Sequence, residues 1–116
     1  MNTLRAAFVA LLFEAPALAQ DLATGEAIRA AISGNTVQGS MTSSGGYTEF
    51  YAADGAIKGE DYSGTWAVEG DKMCFTYGAD PATCWNVGIA GDTITWLNGG
   101  AEEGIGVLLP GNPNNF

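Results

Sequence analysis

The side chains of this sequence that could do chemistry are carboxylates, cysteines and aromatic rings, because the chain contains no histidine. Without histidine, Ser-His-Asp and Cys-His catalytic arrangements and histidine-ligated metal sites are excluded. Two adjacent carboxylate pairs remain, Glu60-Asp61 and Glu102-Glu103. Neighbouring residues on a strand face opposite ways, so neither pair forms an acid–base couple, and solvated charge is the simpler interpretation. We therefore expect a protein that is not an enzyme.

The sequence also lacks motifs for a metal ion, a nucleotide or a nucleic acid. Asp54-Gly55 is not accompanied by the alternating acidic residues of a calcium loop, and no glycine-rich phosphate loop is present. We therefore expect no cofactor and no metal. The net charge of −9 repels nucleic acids and anionic membranes. It suits either solubility or a basic partner.

Cys74 and Cys84 predict a structural disulfide. Residues 72–78 and 82–89 form a predicted hairpin whose turn, residues 78–81, has the sequence Gly-Ala-Asp-Pro. A hairpin centred on this turn places the two cysteines directly opposite each other, within reach of a disulfide. The alternative is a redox pair, but the spacing is not Cys-x-x-Cys.

The first residues predict export from the cytoplasm. A short basic segment, residues 1–5, precedes an apolar run over residues 6–13 and an Ala-x-Ala cleavage site at residues 17–19. We therefore assign residues 1–19 to a signal peptide and residues 20–116 to a single domain. A periplasmic or secreted location agrees with the cysteine pair, since disulfides form in oxidising compartments. We expect a monomer that is not inserted in a membrane.

The remaining sequence predicts an all-β domain with one short N-terminal helix. Residues 24–32 have helical periodicity, and the helix either plugs one end of the fold or covers a cavity mouth. Asp54-Gly55 predicts a two-residue hairpin loop. The repeated turns indicate an antiparallel meander of about eight strands that forms a small barrel. The predicted strands are 35–42, 47–52, 56–60, 62–69, 72–78, 82–89, 93–97 and 103–109.

Two motifs resemble known families. The strand Gly64-Thr65-Trp66 is similar to the Gly-x-Trp motif of lipocalins and avidins, in which the tryptophan packs across one end of a small barrel. The wider pattern resembles small exported bacterial proteins of unknown function. It comprises the Tyr-x-Glu-Phe-Tyr strand at residues 47–51, the Asp-Gly turn, the Gly-x-Trp strand, and the strands that carry Cys74 and Cys84. This resemblance implies a lipocalin-like barrel without an established activity.

The aromatic residues are the candidates for a binding site. In a barrel of eight strands they either fill the interior or leave a pocket for one small apolar ligand. In the second strand, Tyr47, Glu49 and Tyr51 share one face. If a pocket exists, its predicted lining is Tyr51, Trp66, Phe75, Trp85 and Trp96.

Two other functions stay open. The loop at residues 43–47, Ser-Ser-Gly-Gly-Tyr, resembles the Ser-Gly-x-x-Tyr loop of periplasmic lysozyme inhibitors, but its spacing is one residue shorter. This resemblance implies a barrel that binds a basic protein, for which strong negative charge would steer the encounter. The second alternative is a structural or stress role at the cell envelope.

Overall fold

The structure, a computed structural model, describes residues 21–116. The predicted signal peptide, residues 1–19, lies outside this part of the chain, so the peptide and the exported location stay predictions. The described chain begins with one helix, α1 (Gly25–Ile32). Eight strands follow: β1 (Asn35–Met41), β2 (Gly45–Tyr51), β3 (Ala56–Gly59), β4 (Tyr62–Glu69), β5 (Lys72–Thr76), β6 (Thr83–Ala90), β7 (Thr93–Asn98) and β8 (Ala101–Leu109).

The eight strands form a closed antiparallel barrel in sequence order. Each strand pairs with the next, and β8 pairs with β1 to close the sheet. Closure leaves no long unpaired edge that could aggregate. The predicted fold class, an antiparallel meander of about eight strands with one short helix, is therefore confirmed. In such a meander, alternate hairpin turns lie at opposite ends of the barrel.

The loop between β2 and β3 holds three residues, as the predicted strand bounds 47–52 and 56–60 imply, and not the two of the Asp-Gly hairpin signal. Ala52 and Ala56 enclose three residues, because the Ala52 N–H donates to the Ala56 carbonyl oxygen at 2.8 Å. Gly55 has a φ of 99°, which glycine adopts without strain. Asp54 Oδ1 accepts a hydrogen bond from the Ala56 N–H at 3.0 Å. Asp54-Gly55 therefore marks the turn, but the turn belongs to a three-residue loop and not to a two-residue hairpin.

The helix α1 plugs one end of the barrel. Thr24 Oγ1 accepts a hydrogen bond from the Ala27 N–H and caps the first turn. Ile28 and Ile32 are fully buried in the core. The first helical residue, Gly25, donates its N–H to Asp71 Oδ1 of the β4–β5 turn at 2.8 Å. These contacts place the helix at the end of the barrel that holds the β2–β3, β4–β5 and β6–β7 turns.

Inward-facing side chains of the strands pack against this helix and form the rest of the core. Trp66 lies at the helix end, where its indole Nε1 donates to the Ala52 carbonyl oxygen at 2.9 Å. Its ring meets the Tyr51 ring edge-on, with centroids 6.2 Å apart. The fully buried aliphatic and thioether side chains of the barrel wall are Val37, Ile57, Met73, Val87 and Ile94.

A disulfide joins β5 to β6 as predicted. Cys74 lies directly opposite Cys84 in the strand pairing, and the two sulfur atoms are bonded. The neighbours Met73 and Phe75 point to the other face and belong to the core. The period-two alternation therefore separates the bridge from the interior of the barrel.

We predict that reducing this disulfide lowers the free energy of unfolding by about 2.5–3 kcal/mol, because the bridge closes a loop of ten residues in the unfolded chain. Urea unfolding with and without reductant measures the difference. The double variant Cys74→Ala/Cys84→Ala is the control, and its stability should not respond to reductant. A loss below about 1 kcal/mol would contradict the loop-closure explanation.

Candidate functional site

A cavity of about 500 Å³ lies at the end of the barrel opposite α1. Its rim includes exposed residues of the β1–β2 loop, so it opens to solvent there. Within the described chain, helix α1 contributes no residue to this cavity, which supports the plug and not the lid. The lining residues are Met41, Ser43, Ser44, Gly46, Tyr47, Glu49, Tyr51, Tyr62, Phe75, Tyr77, Thr83, Trp85 and Trp96.

Strand β2 supplies three consecutive inward-facing residues of the cavity, Tyr47, Glu49 and Tyr51. Their spacing of two follows directly from the alternation of side chains along a strand. Glu49 is only 7% exposed and Tyr51 only 1% exposed. The sequence therefore buries a carboxyl group among aromatic rings, where it requires hydrogen-bond partners.

Three tyrosine hydroxyls surround the Glu49 carboxylate. Tyr51 donates to Oε1 at 2.6 Å, and Tyr62 donates to Oε2 at 2.6 Å. The Tyr77 hydroxyl lies 3.0 Å from Oε1 and 2.9 Å from Oε2. An ionised carboxylate accepts hydrogen bonds and donates none, so three donors match its chemistry. We call Glu49 with Tyr51, Tyr62 and Tyr77 the carboxylate cage.

The carboxylate cage contains no positive charge from the described protein. No lysine or arginine lines the cavity among residues 21–116. Lys58 and Lys72 are exposed, and the Arg29 guanidinium reaches the Val68 carbonyl oxygen at 3.5 Å. Buried charges in proteins are usually paired with an opposite charge or a metal ion. Glu49 is instead satisfied by neutral hydroxyl donors.

Short approaches between strands give the cage tyrosines their positions. Tyr62 lies opposite Gly59 in the β3–β4 pairing, and a Cβ atom on that glycine would clash with the Tyr62 ring. Gly64 of β4 is similarly close to the Tyr77 ring, and a Cβ atom there would lie 2.7 Å from Tyr77 Cδ1. These two glycines therefore leave room for the rings of Tyr62, at the start of β4, and Tyr77, directly after β5, which both reach Glu49.

A second hydrogen-bond chain crosses the cavity wall. Trp96 Nε1 donates to the Tyr47 hydroxyl oxygen at 2.8 Å, and the Tyr47 hydroxyl donates to the Ile105 carbonyl oxygen at 3.2 Å. Phe75 packs edge-on against Trp96, with ring centroids 5.3 Å apart. Phe75 also contacts Tyr51 at a centroid distance of 6.1 Å. The aromatic wall is therefore held by both hydrogen bonds and ring packing.

All four tyrosines of the chain line this cavity, and burial is the largest cause of a raised pKa in each. Burial raises the pKa of Tyr47 to about 12, the hydrogen bond from Trp96 opposing this shift and the charge of Glu49 adding to it. Burial and then the charge of Glu49 raise the pKa values of Tyr51 and Tyr77 well above the ordinary value for tyrosine. Tyr62 is 44% exposed, and the partial burial of its hydroxyl end together with the hydrogen bond to Glu49 raises its pKa. The cage hydroxyls therefore stay protonated donors at neutral pH.

Four of the five predicted site residues line the cavity, namely Tyr51, Phe75, Trp85 and Trp96. The fifth, Trp66, lies behind Tyr51 towards α1 and is not among the lining residues. Sequence reasoning missed Glu49, which the structure places at the centre. The signal was present, because Glu49 stands between two tyrosines on one predicted strand face.

The two carboxylate pairs noted in the sequence, Glu60-Asp61 and Glu102-Glu103, do not form a buried site like that of Glu49. Glu60, Asp61 and Glu102 are exposed, and Glu103 is partly exposed. Among the described residues, no group of three or more metal-binding side chains lies close enough to hold an ion. The single helix in this part of the chain is too short to cross a bilayer.

The fold and the cavity together define a small closed antiparallel barrel with one open aromatic cavity built on a buried carboxylate. Comparison of the chain with protein-family models, with curated proteins and with solved structures finds no match. The predicted resemblance to lipocalins and to small exported proteins therefore stays a prediction. The fold alone does not define a function, which depends on the geometry and chemistry of the site.

We predict that the tyrosines of the folded protein ionise well above pH 10. Because every tyrosine lines the cavity, phenolate absorbance reports on this site alone. In the folded protein the first transition should lie near pH 12, the value for Tyr47, whereas the chain unfolded in urea should titrate near pH 10. A folded protein that titrates near pH 10 would contradict the buried cage.

The same shifts predict how stability depends on pH. The folded pKa values lie above the unfolded value, so the protonated tyrosines stabilise the fold fully below about pH 10. This contribution is lost as the pH rises through the folded values. Urea midpoints should therefore fall steadily from pH 10 to pH 12. In Glu49→Gln the decline should be smaller, because one cause of the raised pKa values is removed.

Proposed function

We propose that this protein is a non-catalytic, exported binding protein that holds one small, largely apolar molecule in its cavity. The observation that carries this proposal is the open aromatic cavity at one end of a barrel whose other end is closed by α1. Its volume of about 500 Å³ falls within the range typical of small-molecule sites. Eight-stranded barrels of this kind are just wide enough for one small ligand.

The chemistry of the lining supports binding over catalysis. The cavity combines aromatic surface with a few polar groups, the pattern of a site that fixes the orientation of a ligand. A general acid or base must reach the proton that it transfers. The only carboxyl group among the lining residues, Glu49, is already surrounded by three tyrosine hydroxyls. The Cys74–Cys84 disulfide is compatible with an oxidising compartment outside the cytoplasm.

Binding can be tested with N-phenyl-1-naphthylamine, a neutral apolar dye whose fluorescence rises when it leaves water. We predict saturable binding of one dye molecule per chain. Thr83→Phe should weaken binding at least about ten-fold, because Thr83 lines the cavity and the larger ring fills it. The matched control is Thr65→Phe, an exposed threonine on β4 that is not a lining residue. Equal affinities in the two variants, or no binding at all, would contradict the proposal.

A second candidate is a barrel that binds a basic protein, such as a lysozyme. The observation that favours it is the exposed segment 42–46, which comprises the β1–β2 loop and the start of β2 and contributes Ser43, Ser44 and Gly46 to the cavity rim. The net charge of −9 would accelerate such an encounter at low salt. This candidate predicts that the purified protein slows lysozyme at low ionic strength and that Ser44→Arg abolishes the effect. An unchanged lysozyme rate at equimolar protein would exclude it.

A further inference from the structure

We propose that the ligand carries a permanent positive charge of the quaternary ammonium class, seated against the carboxylate cage. This inference rests on the proposed function, since it specifies the chemistry of a molecule held in the same cavity. It uses three observations: an unpaired buried carboxylate, hydroxyl donors that already occupy its oxygens, and a wall of aromatic rings.

The first observation is the charge. Glu49 lines the cavity, and the cavity wall of the described chain contributes no basic side chain against it. In the low dielectric of a barrel interior, a negative charge acts strongly on an ion that enters the cavity. A bound cation would therefore complete the charge pair that the protein itself leaves open. An anionic ligand would be repelled.

The second observation distinguishes between kinds of cation. A primary ammonium group needs acceptors for three N–H donors when it leaves water. Glu49 can supply few of them, because a carboxylate has about four lone-pair sites and Tyr51, Tyr62 and Tyr77 already donate to its two oxygens. A quaternary ammonium has no N–H group, so it gains the electrostatic attraction without leaving a donor unsatisfied. The shortage of free acceptor sites on Glu49 therefore favours a quaternary ammonium over a primary ammonium group.

The third observation is the aromatic wall. Seven of the thirteen lining residues are aromatic. The negative faces of aromatic rings attract cations, and clusters of such rings are the usual recognition device for quaternary ammonium groups. The aromatic residues of the wall are Tyr47, Tyr51, Tyr62, Phe75, Tyr77, Trp85 and Trp96.

The test compares two probes of the same shape that differ in charge. Choline carries a quaternary nitrogen, and 3,3-dimethylbutan-1-ol has a neutral carbon in its place. Isothermal titration calorimetry at moderate salt should give choline at least about ten-fold higher affinity for the wild-type protein. Ethanolamine, which has the same chain and a primary ammonium group, should bind more weakly than choline.

The variant Glu49→Gln keeps the side-chain shape and removes the charge, so the preference for choline over its neutral analogue should fall several-fold to the part that the aromatic wall supplies. The matched control is Glu102→Gln, which removes one charge from an exposed position on β8. This control should keep the wild-type preference. If Glu49→Gln does not fold, the comparison of the two probes on the wild-type protein still decides the question.

The outcomes separate the inference from the function on which it rests. If the naphthylamine dye binds but choline and its neutral analogue bind equally, the cavity is a ligand site and the charge inference is wrong. A preference for choline that is as large in Glu49→Gln as in the wild-type protein would also overturn the role of the cage. If neither the dye nor either probe binds to the folded protein, both the proposed function and this inference fall.

Discussion

One buried carboxylate, which needs hydrogen-bond donors, determines how the half of the barrel that holds the open cavity is built. Glu49 points inward because β2 alternates, and a charge buried among aromatic rings is costly unless polar groups surround it. Three hydroxyls from β2, β4 and the end of β5 meet this requirement. The cage therefore ties β2 to β4 and to Tyr77 after β5, elements that do not pair with β2 in the sheet. It also surrounds an open space with aromatic rings, where apolar side chains would have filled the interior.

The two ends of the barrel differ in structure: one is closed by a packed core, and the other holds the open cavity. At one end, α1 buries Ile28 and Ile32 and is capped by Asp71 of the β4–β5 turn. Trp66 packs above this plug and supports Tyr51 from behind. At the other end, polar tips of tyrosines replace aliphatic side chains, and the interior stays open. The disulfide holds β5 to β6, the two strands that carry the cavity residues Phe75 and Trp85.

Much of the fold could be predicted because local chemistry and tertiary structure agree. Turn residues indicated the limits of the eight strands, the helical periodicity of residues 24–32 predicted the helix, and the hairpin centre predicted that Cys74 lies opposite Cys84. Tyr47, Tyr62 and Tyr77 were not predicted to line the cavity, whereas Tyr51, Phe75, Trp85 and Trp96 were. The central residue was not, because a glutamate on a strand is usually solvated. Only the closed barrel brings Tyr62 and Tyr77, 13 and 28 residues away in sequence, to the carboxylate of Glu49.

The measurement that tests the carboxylate cage most directly is proton NMR of the tyrosine hydroxyls. If Tyr51 and Tyr77 donate to Glu49, their hydroxyl protons are shielded from exchange, resonate far downfield and can be connected to their own rings. Replacing Glu49 by glutamine should move both resonances upfield, because the acceptor loses its charge. Hydroxyl protons that exchange as fast as those of the unfolded chain, or that do not respond to Glu49→Gln, would contradict the account.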